Sequence, residues 1–424
     1  MTGYSLRRAW VDGAVLDDVL VEVAGGRFTR VTPDVAAADV PRATRLDGLT
    51  LPGLANAHSH AFHRALRGRT QRGHGTFWTW REQMYDVAGR LTPDSYRDLA
   101  AATFREMVAA GYTSVGEFHY LHHQPDGTPH DEPNAMRDAL RDAAETAGIR
   151  LVLLDTAYLS SGFGAPPEGA QVRYSDGSGA AWAARAGGGP AAIHSVRAVP
   201  RDELHHFRGR HPLHVHLSEQ VAENDACLAA YGMTPAGLLH AEGLLGPGTT
   251  VVHATHLTDE DIELLGGTRT NVCLTPTTER DLADGIGPAR RLADAGSRLS
   301  VGSDSHAVVD PFEELRGLEM HERLSSQARG HFTATELLDA ATAHDVLGLG
   351  DVGRIEVGAR ADLVTLDATS PRTAGTGDDE HTAVFAATAA DVTHVVVDGR
   401  VVHRRGDEPA VGGALAETIG RIWS

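Results

Sequence analysis

Short apolar runs rich in β-branched residues alternate with helical patterns through the middle of the chain. Turn residues bound the strand-like runs LTLPGLANAHSH, YTSVGEFHYL, RLVLLDTAYL, AAIHSVRAV, PLHVHLSEQ, TTVVHATHL, RTNVCLTPTTE and RLSVGSDSH. Between them, as over residues 94–110, apolar positions recur at helical spacing, and Gly111 provides a stop signal. Alternation of strand and helix over eight units predicts an α/β fold, a (β/α)8 barrel that spans residues 52–350.

The two flanks of the chain have a different pattern. GAVLDDVLVEVAGGRFTRVTP before the barrel, and ADLVTLD and DVTHVVVDGRVVHRRGD after it, alternate apolar and polar residues and contain tight turns. They predict a small discontinuous β-sandwich domain made from residues 1–51 and 351–424. Within the barrel, residues 161–190 are rich in Gly, Ala and Pro, which fits either a flexible loop at the active-site rim or a disordered insertion without a function.

Charge and composition limit the partners. The formal net charge of −19 repels nucleic acid and anionic lipid, and no apolar run approaches the roughly 20 residues that span a bilayer. The amino terminus lacks the pattern of a secretory signal, and Cys227 and Cys273 have no metal-type pairing, so we expect a cytoplasmic protein with reduced thiols. We expect a homodimer that acts on a small molecule, with neither a nucleic-acid nor a membrane partner; an anionic substrate would need a local cluster of arginines.

Polar residues follow the ends of several predicted strands, where (β/α)8 barrels carry their chemistry. His58 and His60 alternate on the first strand, so both side chains point to the same face. His216 follows on the fifth strand and Asp304 on the eighth. Imidazole nitrogen and carboxylate oxygen are ligands of zinc, so these four residues are the predicted ligands of one divalent metal. Zinc is favoured, although the same ligands accept iron or manganese.

These motifs resemble those of the amidohydrolase superfamily, specifically its mononuclear aminohydrolase branch, which has His-x-His, His-x-x-Glu, a later His and an Asp. The resemblance covers the whole barrel. Binuclear members have a bridging carboxylated lysine after the fourth strand, whereas AAIHSVRAV contains no lysine, so a single metal is expected. Within the branch, the closer resemblance is to the formimidoylglutamate deiminase family of histidine degradation, through HSHAFHRAL, FWTWREQMY, GEFHYLHH, HSVRAV, TPTTERDLADGI and GSDSH.

This closer resemblance implies hydrolysis of N-formimino-L-glutamate to N-formyl-L-glutamate and ammonia, with substrate contacts from His63, Arg81, Tyr120, His194 and Arg197. Two arginines suit a dicarboxylate because guanidinium groups bind carboxylates through paired N–H donors. His63 departs from the family pattern, which has glutamine three residues after the second metal histidine. A neutral histidine also offers one donor and one acceptor. Another formimino or guanidino acid therefore stays an alternative substrate.

The predicted catalytic residues are Glu219, His253 and Asp304. Asp304 is expected to take a proton from the attacking water, and His253 to orient the attacking oxygen and stabilise the tetrahedral intermediate. Glu219 is expected to transfer a proton to the departing ammonia. A non-catalytic metal-binding or scaffold protein would not need these proton-transfer residues.

A second alternative is an aminohydrolase that acts on a nucleobase or triazine ring. Such an enzyme needs stacking residues and few arginines, and the candidates for stacking are Phe62, Phe77, Trp78 and Trp80. Other polar residues are expected to have structural roles. We expect a solvated rim loop rather than a second metal site at His119, His122 and His123, and a contribution to the rim from Glu279 and Asp284. His214 should face the helices, and we expect solvent exposure for His205, His206 and His211.

Overall fold

The computed structural model describes residues 2–72, 74–75 and 77–424, with the backbone alone for residues 77 and 78. The described residues form a seven-stranded and an eight-stranded sheet. The first four strands belong to the smaller sheet: β1 (Thr2–Val11), β2 (Ala14–Ala24), β3 (Arg27–Thr32) and β4 (Thr44–Pro52). β1 pairs antiparallel with β2 and parallel with β4.

The next eight strands of the described chain form the barrel, each parallel to its neighbours. They are β5 (Leu54–Ser59), β6 (Tyr112–His119), β7 (Arg150–Ala157), β8 (Ala191–Ile193), β9 (Leu213–Leu217), β10 (Thr249–His253), β11 (Asn271–Leu274) and β12 (Leu299–Val301). Every residue of β5 and β6 is buried, as expected for parallel strands covered by helices.

The barrel closes between its first and last strands, beyond the end of β12. A parallel bridge joins Ser59 to Asp304, and the Asn56 amide exchanges hydrogen bonds with Ser303 at 2.7 and 3.0 Å. Gly302 permits this closeness, because a Cβ there would lie 2.7 Å from the carbonyl oxygen of His58. The seam of the barrel therefore lies at two of the predicted metal-binding segments.

Helices cover the barrel. They are α1 (Phe77–Arg90), α2 (Pro93–Ala110), α3 (Ala135–Ala147), α4 (Gly179–Ala186), α5 (Val221–Tyr231), α6 (Pro235–Ala241), α7 (Asp259–Gly267), α8 (Pro276–Asp281), α9 (Ala289–Ala295), α10 (Pro311–Ser326) and α11 (Ala334–Ala341). The sequence signals of α2 act as expected: Thr92 caps its amino end, and Gly111 ends it with φ of 110°. Among the described residues, no helix is both long and apolar enough to cross a membrane.

The carboxyl-terminal part of the chain completes the smaller sheet with β13 (Leu363–Leu366), β14 (Val392–Val397) and β15 (Arg400–Arg404), in the order β15-β14-β13-β4-β1-β2-β3. The helix α12 (Glu380–Phe385) lies between β13 and β14, and α13 (Glu408–Trp423) ends the chain and packs on α2. The sheet has its own apolar core, which includes Tyr4, Leu6 and Val21.

The predicted fold class is confirmed: a (β/α)8 barrel carries a separate sheet from both termini. Each of the eight strand motifs contains a barrel strand, although the first four residues of the first motif, 49–52, belong to β4 of the smaller sheet. The flanking strands form one continuous hydrogen-bonded sheet, and α13 of the 351–424 segment packs on the barrel. The exact domain boundaries stay a prediction.

Candidate active site

The predicted metal ligands converge at the carboxyl ends of the barrel strands. His58 lies in β5, His60 follows it, His216 lies in β9 and Asp304 follows β12. Nε2 of His58 lies 3.0 Å from Nε2 of His216. Oδ1 of Asp304 lies 3.3 Å from Nε2 of His58 and 3.4 Å from Nε2 of His60. All four residues are buried, and their donor atoms lie within 4.8 Å of one another.

The chemistry of these donors fits a divalent cation. Nδ1 of His60 lies 3.1 Å from the carbonyl oxygen of Phe118, so Nδ1 carries the proton and Nε2 presents a lone pair. That lone pair faces the carboxylate oxygen of Asp304, a repulsive contact unless both atoms bind a cation. Four ligands placed tetrahedrally about zinc lie about 3.3 Å apart, close to the separations found here. Burial lowers the pKa of His60 and His216 well below the usual value, so both rings are neutral, as metal binding requires.

Glu117, in β6, supports this centre from behind. Its Oε2 accepts a hydrogen bond from Ser59 Oγ at 2.6 Å, and its Oε1 accepts one from the backbone N–H of Ala61 at 2.7 Å. Because Ser59 donates its proton to Glu117, its oxygen can accept one from Nε2 of His306, 3.1 Å away. Burial raises the pKa of Glu117 to about 8. These three side chains, which we call the seam clasp, tie together the strand ends that carry His60 and Asp304.

The seam clasp was not predicted from the sequence, although GEFHY contains a signal for it. Glu117 is the one carboxylate of a fully buried strand, and such a group needs partners when it is buried. Its partners are 58 and 56 positions away along the chain, so the sequence could not identify them.

The predicted catalytic residues lie beside the ligands. Nε2 of His253, at the end of β10, lies 3.9 Å from Oε1 of Glu219 and 4.0 Å from Oδ2 of Asp304. Burial opposes protonation of His253, but the carboxylates of Glu219, Glu279 and Asp304 raise its pKa to about 10. Burial also raises the pKa of Glu219. His253 and Asp304 have φ of 70° and 40°, a costly conformation for residues other than glycine.

Glu279 has a more central position than the rim role expected for it. It is buried, and its Oε1 lies 3.7 Å from Nδ1 of His253. Thr275 lies between them, with its Oγ1 3.2 Å from that ring nitrogen and 3.4 Å from Glu279 Oε1. Glu279 and Thr275 therefore hold the side of His253 that faces away from Glu219. Asp284 accepts a hydrogen bond from Gln220, next to Glu219, which agrees with a rim position.

A cavity of about 70 Å³ opens onto the metal-binding residues. Every residue predicted to act in catalysis or to bind the substrate lines it: His63, Arg81, Tyr120, His194, Arg197, Glu219, His253 and Asp304. His63 Nε2 lies 3.1 Å from the Tyr120 hydroxyl, so these two polar groups are fixed relative to each other. A second cavity of about 340 Å³ adjoins the first and shares both arginines with it. The structure brings the predicted residues together, while their individual roles stay predictions.

The aromatic lining differs from the one considered for stacking. Trp80 lines the cavity, Phe62 is buried but does not line it, and the side chains of residues 77 and 78 lie outside the described part of the chain. The further aromatic residues in the lining are tyrosines, namely Tyr85, Tyr158 and Tyr174. Tyr158 follows the end of β7, a position that could have been noted from the sequence. Each of these side chains brings a hydroxyl as well as a ring, which suits a polar ligand better than stacking alone.

The segment 161–190 is not a disordered insertion, so that alternative was wrong. It contains a 3-10 helix, Gly169–Tyr174, and α4. Arg173 is fully buried and donates hydrogen bonds to the carbonyl oxygens of His123, Leu91 and Ala88. The last two carbonyls lie at the carboxyl end of α1, where a positive charge is favoured. Arg173 thus fixes this segment against the helix that carries Arg81.

The solvated loop expected around Tyr120 was also wrong. His119, His122 and His123 are buried, and the 161–190 segment covers the last two. The Arg173 carbonyl accepts hydrogen bonds from the backbone N–H groups of His122 and His123, and Nε2 of His123 lies 3.1 Å from Asp176. Elsewhere, His205 and His211 are exposed, as expected, and His206 is partly exposed.

Comparisons with known proteins agree with this geometry. Residues 49–402 match the model of the amidohydrolase family. The chain is 36% identical to formimidoylglutamate deiminase of Pseudomonas aeruginosa, over 94% of both chains. It is 30% identical to 5-methylthioadenosine/S-adenosylhomocysteine deaminase of Haloarcula marismortui, over 91% of this chain and 90% of that one.

Among solved structures, an amidohydrolase from Brucella melitensis superposes with a TM-score of 0.90 at 31% identity, and the match covers all of both chains. The family match spans most of the chain, and the relatives act on carbon–nitrogen bonds, as the predicted catalytic residues would require. The chain belongs to the amidohydrolase family and is a hydrolase of non-peptide carbon–nitrogen bonds.

Proposed function

We propose that this enzyme hydrolyses N-formimino-L-glutamate to N-formyl-L-glutamate and ammonia. The observation that carries the proposal is the pair of arginines, Arg81 and Arg197, that lines the cavity beside Glu219. Among the described residues no carboxylate lies within ion-pair distance of Arg197; Glu219 and Glu223 are near enough to feel its charge. A dicarboxylate neutralises two guanidinium groups, whereas a nucleobase brings no charge to them. The likeness to the deiminase of Pseudomonas aeruginosa supports the same substrate.

We assign one zinc ion to His58, His60, His216 and Asp304, because three neutral imidazoles and one carboxylate are a typical zinc ligand set. A divalent ion bound there is a Lewis acid that lowers the pKa of water towards neutrality. Oδ1 of Asp304 belongs to the ligand set, while Oδ2 faces His253. Asp304 can therefore accept a proton from the attacking water through Oδ2. His253, held by Thr275 and Glu279, directs an N–H to the attacking oxygen.

The reaction adds the water oxygen to the formimino carbon and breaks the bond from that carbon to the terminal nitrogen. Both protons of the water end on the departing nitrogen, which leaves as ammonia. Glu219 lines the cavity and is partly buried, and its raised pKa makes the protonated carboxyl accessible during turnover. We assign one proton transfer to the nitrogen to Glu219, and the proton that Asp304 takes from the water is the second. Arg81 and Arg197 hold the carboxylates of the glutamate part.

An ammonia-release assay tests the substrate. The purified enzyme is supplied in parallel with formiminoglutamate, 5-methylthioadenosine, guanine and cytosine, and we expect turnover of formiminoglutamate with a kcat/KM at least a hundredfold above that of the other three. The nucleoside is included because the relative from Haloarcula marismortui is a deaminase of that substrate class. Preferential turnover of 5-methylthioadenosine or of a nucleobase would overturn the substrate assignment and leave the deaminating chemistry intact.

A further inference from the structure

Tyr85 holds the guanidinium group of Arg81 in one orientation. The two residues are four apart on α1 and so share a face of the helix. Nε of Arg81 donates a hydrogen bond of 2.6 Å to the Tyr85 hydroxyl, and the guanidinium carbon lies 5.2 Å from the centre of the Tyr85 ring. A guanidinium group recognises a carboxylate through a planar pair of N–H donors. The direction of that pair is fixed once Nε is bound to Tyr85.

Gln171, from the 161–190 segment, in turn fixes Tyr85. Its Nε2 donates to the Tyr85 hydroxyl at 2.9 Å, and its Oε1 accepts from the backbone N–H of Glu168 at 3.0 Å. The contact with Glu168 determines the orientation of the amide, because a backbone N–H requires the oxygen on that side. Gln171 is buried, so water cannot easily replace it.

The hydrogen-bond count at the Tyr85 hydroxyl completes the arrangement. A phenol oxygen has two lone pairs and one proton. Arg81 and Gln171 occupy both lone pairs. Tyr158 also lines the cavity beside Arg81 and Tyr85. Gln171 and Tyr85 thus form a chain of hydrogen bonds that ends at Arg81, at the wall of the cavity.

We propose that Tyr85 and Gln171 are positioning residues that determine specificity for a carboxylate by orienting Arg81, and that residues 169–174 serve this purpose. The proposal rests on the proposed function, because it assigns Arg81 to one carboxylate of the substrate. None of the hydrogen bonds that Gln171 and Tyr85 make in the described part of this chain involves a metal-binding residue or Glu219. Loss of these hydrogen bonds should therefore weaken binding equally in the ground and transition states, and so raise KM without lowering kcat.

Steady-state kinetics on formiminoglutamate test this with Tyr85→Phe, which keeps the ring and removes the hydroxyl. We expect KM to rise roughly tenfold, the scale of a hydrogen bond to a charged group, with kcat within a factor of two. Gln171→Met should raise KM about threefold, since Tyr85 keeps one of its two donors. The matched control is Tyr112→Phe, which removes a buried hydroxyl without a hydrogen-bond partner on β6, remote from the cavity; its kinetics should not change.

A double-mutant cycle separates action through Arg81 from direct contact with the substrate. In an Arg81→Met background, Tyr85→Phe should change KM by less than about twofold, because the group that it orients is gone. A tenfold rise in both backgrounds, or a fall in kcat with KM unchanged, would overturn the proposal. If the parent enzyme turns over a nucleoside but not formiminoglutamate, the proposed function and this inference fall together. Turnover of formiminoglutamate with additive effects in the cycle overturns this inference alone.

Discussion

Histidines are buried at both ends of the barrel, but their ring nitrogens have different partners at the two ends. His214 and His216 lie two residues apart on β9, so both side chains point to the same side of the strand, at different levels of the barrel. The expectation that His214 faces the helices was therefore wrong. Nε2 of His214 donates to the carbonyl oxygen of Val346 at 3.2 Å. Nε2 of His216 instead faces Nε2 of His58 at 3.0 Å and Nε2 of His60 at 3.4 Å. One histidine has a neutral acceptor and the other faces further imidazole nitrogens.

His344 completes the contrast at the amino ends of the strands. Its Nε2 donates to the carbonyl oxygen of Gly53 at 2.8 Å, so its Nδ1 accepts from Ser114 Oγ at 2.6 Å. Both nitrogens of this ring are satisfied by uncharged groups, one from β6 and one from the residue just before β5. A buried histidine thus indicates a metal centre only where several nitrogen lone pairs and a carboxylate converge without donors between them.

The largest expected effect separates His214 from His216. His216→Asn should lose the bound metal and reduce kcat/KM by about a thousandfold or more, because a ligand is removed from the set. His214→Asn should retain the metal and most of the activity. Elemental analysis of both purified proteins, together with ammonia release, makes the comparison. Equal metal content in the two variants would contradict the assignment of His216 as a ligand.

Glu219 allows the metal centre to be separated from proton transfer. Glu219→Gln should retain about one metal per chain but lower kcat a hundredfold or more, as expected for removal of a general acid–base group. The amide keeps the shape of the side chain and cannot carry the proton. Metal content is measured on the same sample as kcat. Near-normal turnover would remove Glu219 from the proton path.

The arginines should affect recognition rather than chemistry. Arg197→Met and Arg81→Met should each lower kcat/KM for formiminoglutamate by tens of fold, since each leaves a carboxylate without its partner. The measurement uses the substrate and two analogues in which one or the other carboxylate is an amide. Each variant should lose its discrimination against one analogue. Unchanged kinetics in both variants would contradict recognition of a dicarboxylate.

The seam clasp should affect metal affinity by a smaller factor. Glu117→Gln removes one of two acceptor oxygens behind Ser59 and Ala61, and we expect the zinc dissociation constant to rise about tenfold, as for other groups that orient ligands. Glu314→Gln is the matched control. Glu314 is equally buried and also accepts from a backbone N–H and a hydroxyl, both of Thr277. Competition with a chelator measures both variants, and an equal loss of affinity in the two would reduce the role of Glu117 to general stability.

The sequence was informative where function follows from position along a strand. His58, His216 and Asp304 could be predicted because residues at the carboxyl ends of parallel strands meet at one end of a barrel. The burial of the His119–His123 region could not be predicted, because the segment that covers it, residues 161–190, has the composition of a loop. Arg173 determines the burial of that region through backbone carbonyls, and such contacts leave no pattern in the sequence.

The same limit applies to residues that act through another side chain. Tyr85 and Gln171 are 86 positions apart, and neither is a residue type that indicates chemistry by itself. Glu279 was noticed as part of a motif, but its contact with His253 depends on the turn between β11 and α8. Ligands can thus be predicted from residue type and strand register, whereas the residues that orient them become visible only when distant segments are in contact.

The smallest expected effect lies at the opposite end of the barrel and concerns stability. Burial lowers the pKa of His344 to about 4, from 6.5 in the unfolded chain. Between these values the unfolded state binds the proton and the folded state does not, so stability falls as the pH falls through this window. From about pH 7 to about pH 5.5, His344 should lower the free energy of unfolding by about 1 kcal/mol.

Denaturant unfolding of the parent and of His344→Asn at both pH values isolates this contribution, because the other titrating groups are common to both proteins. The parent should lose about 1 kcal/mol more than the variant. An equal loss of unfolding free energy in both proteins would mean that His344 accepts a proton in the folded state without cost. The contrast between His344 and the metal-binding histidines would then rest on geometry alone.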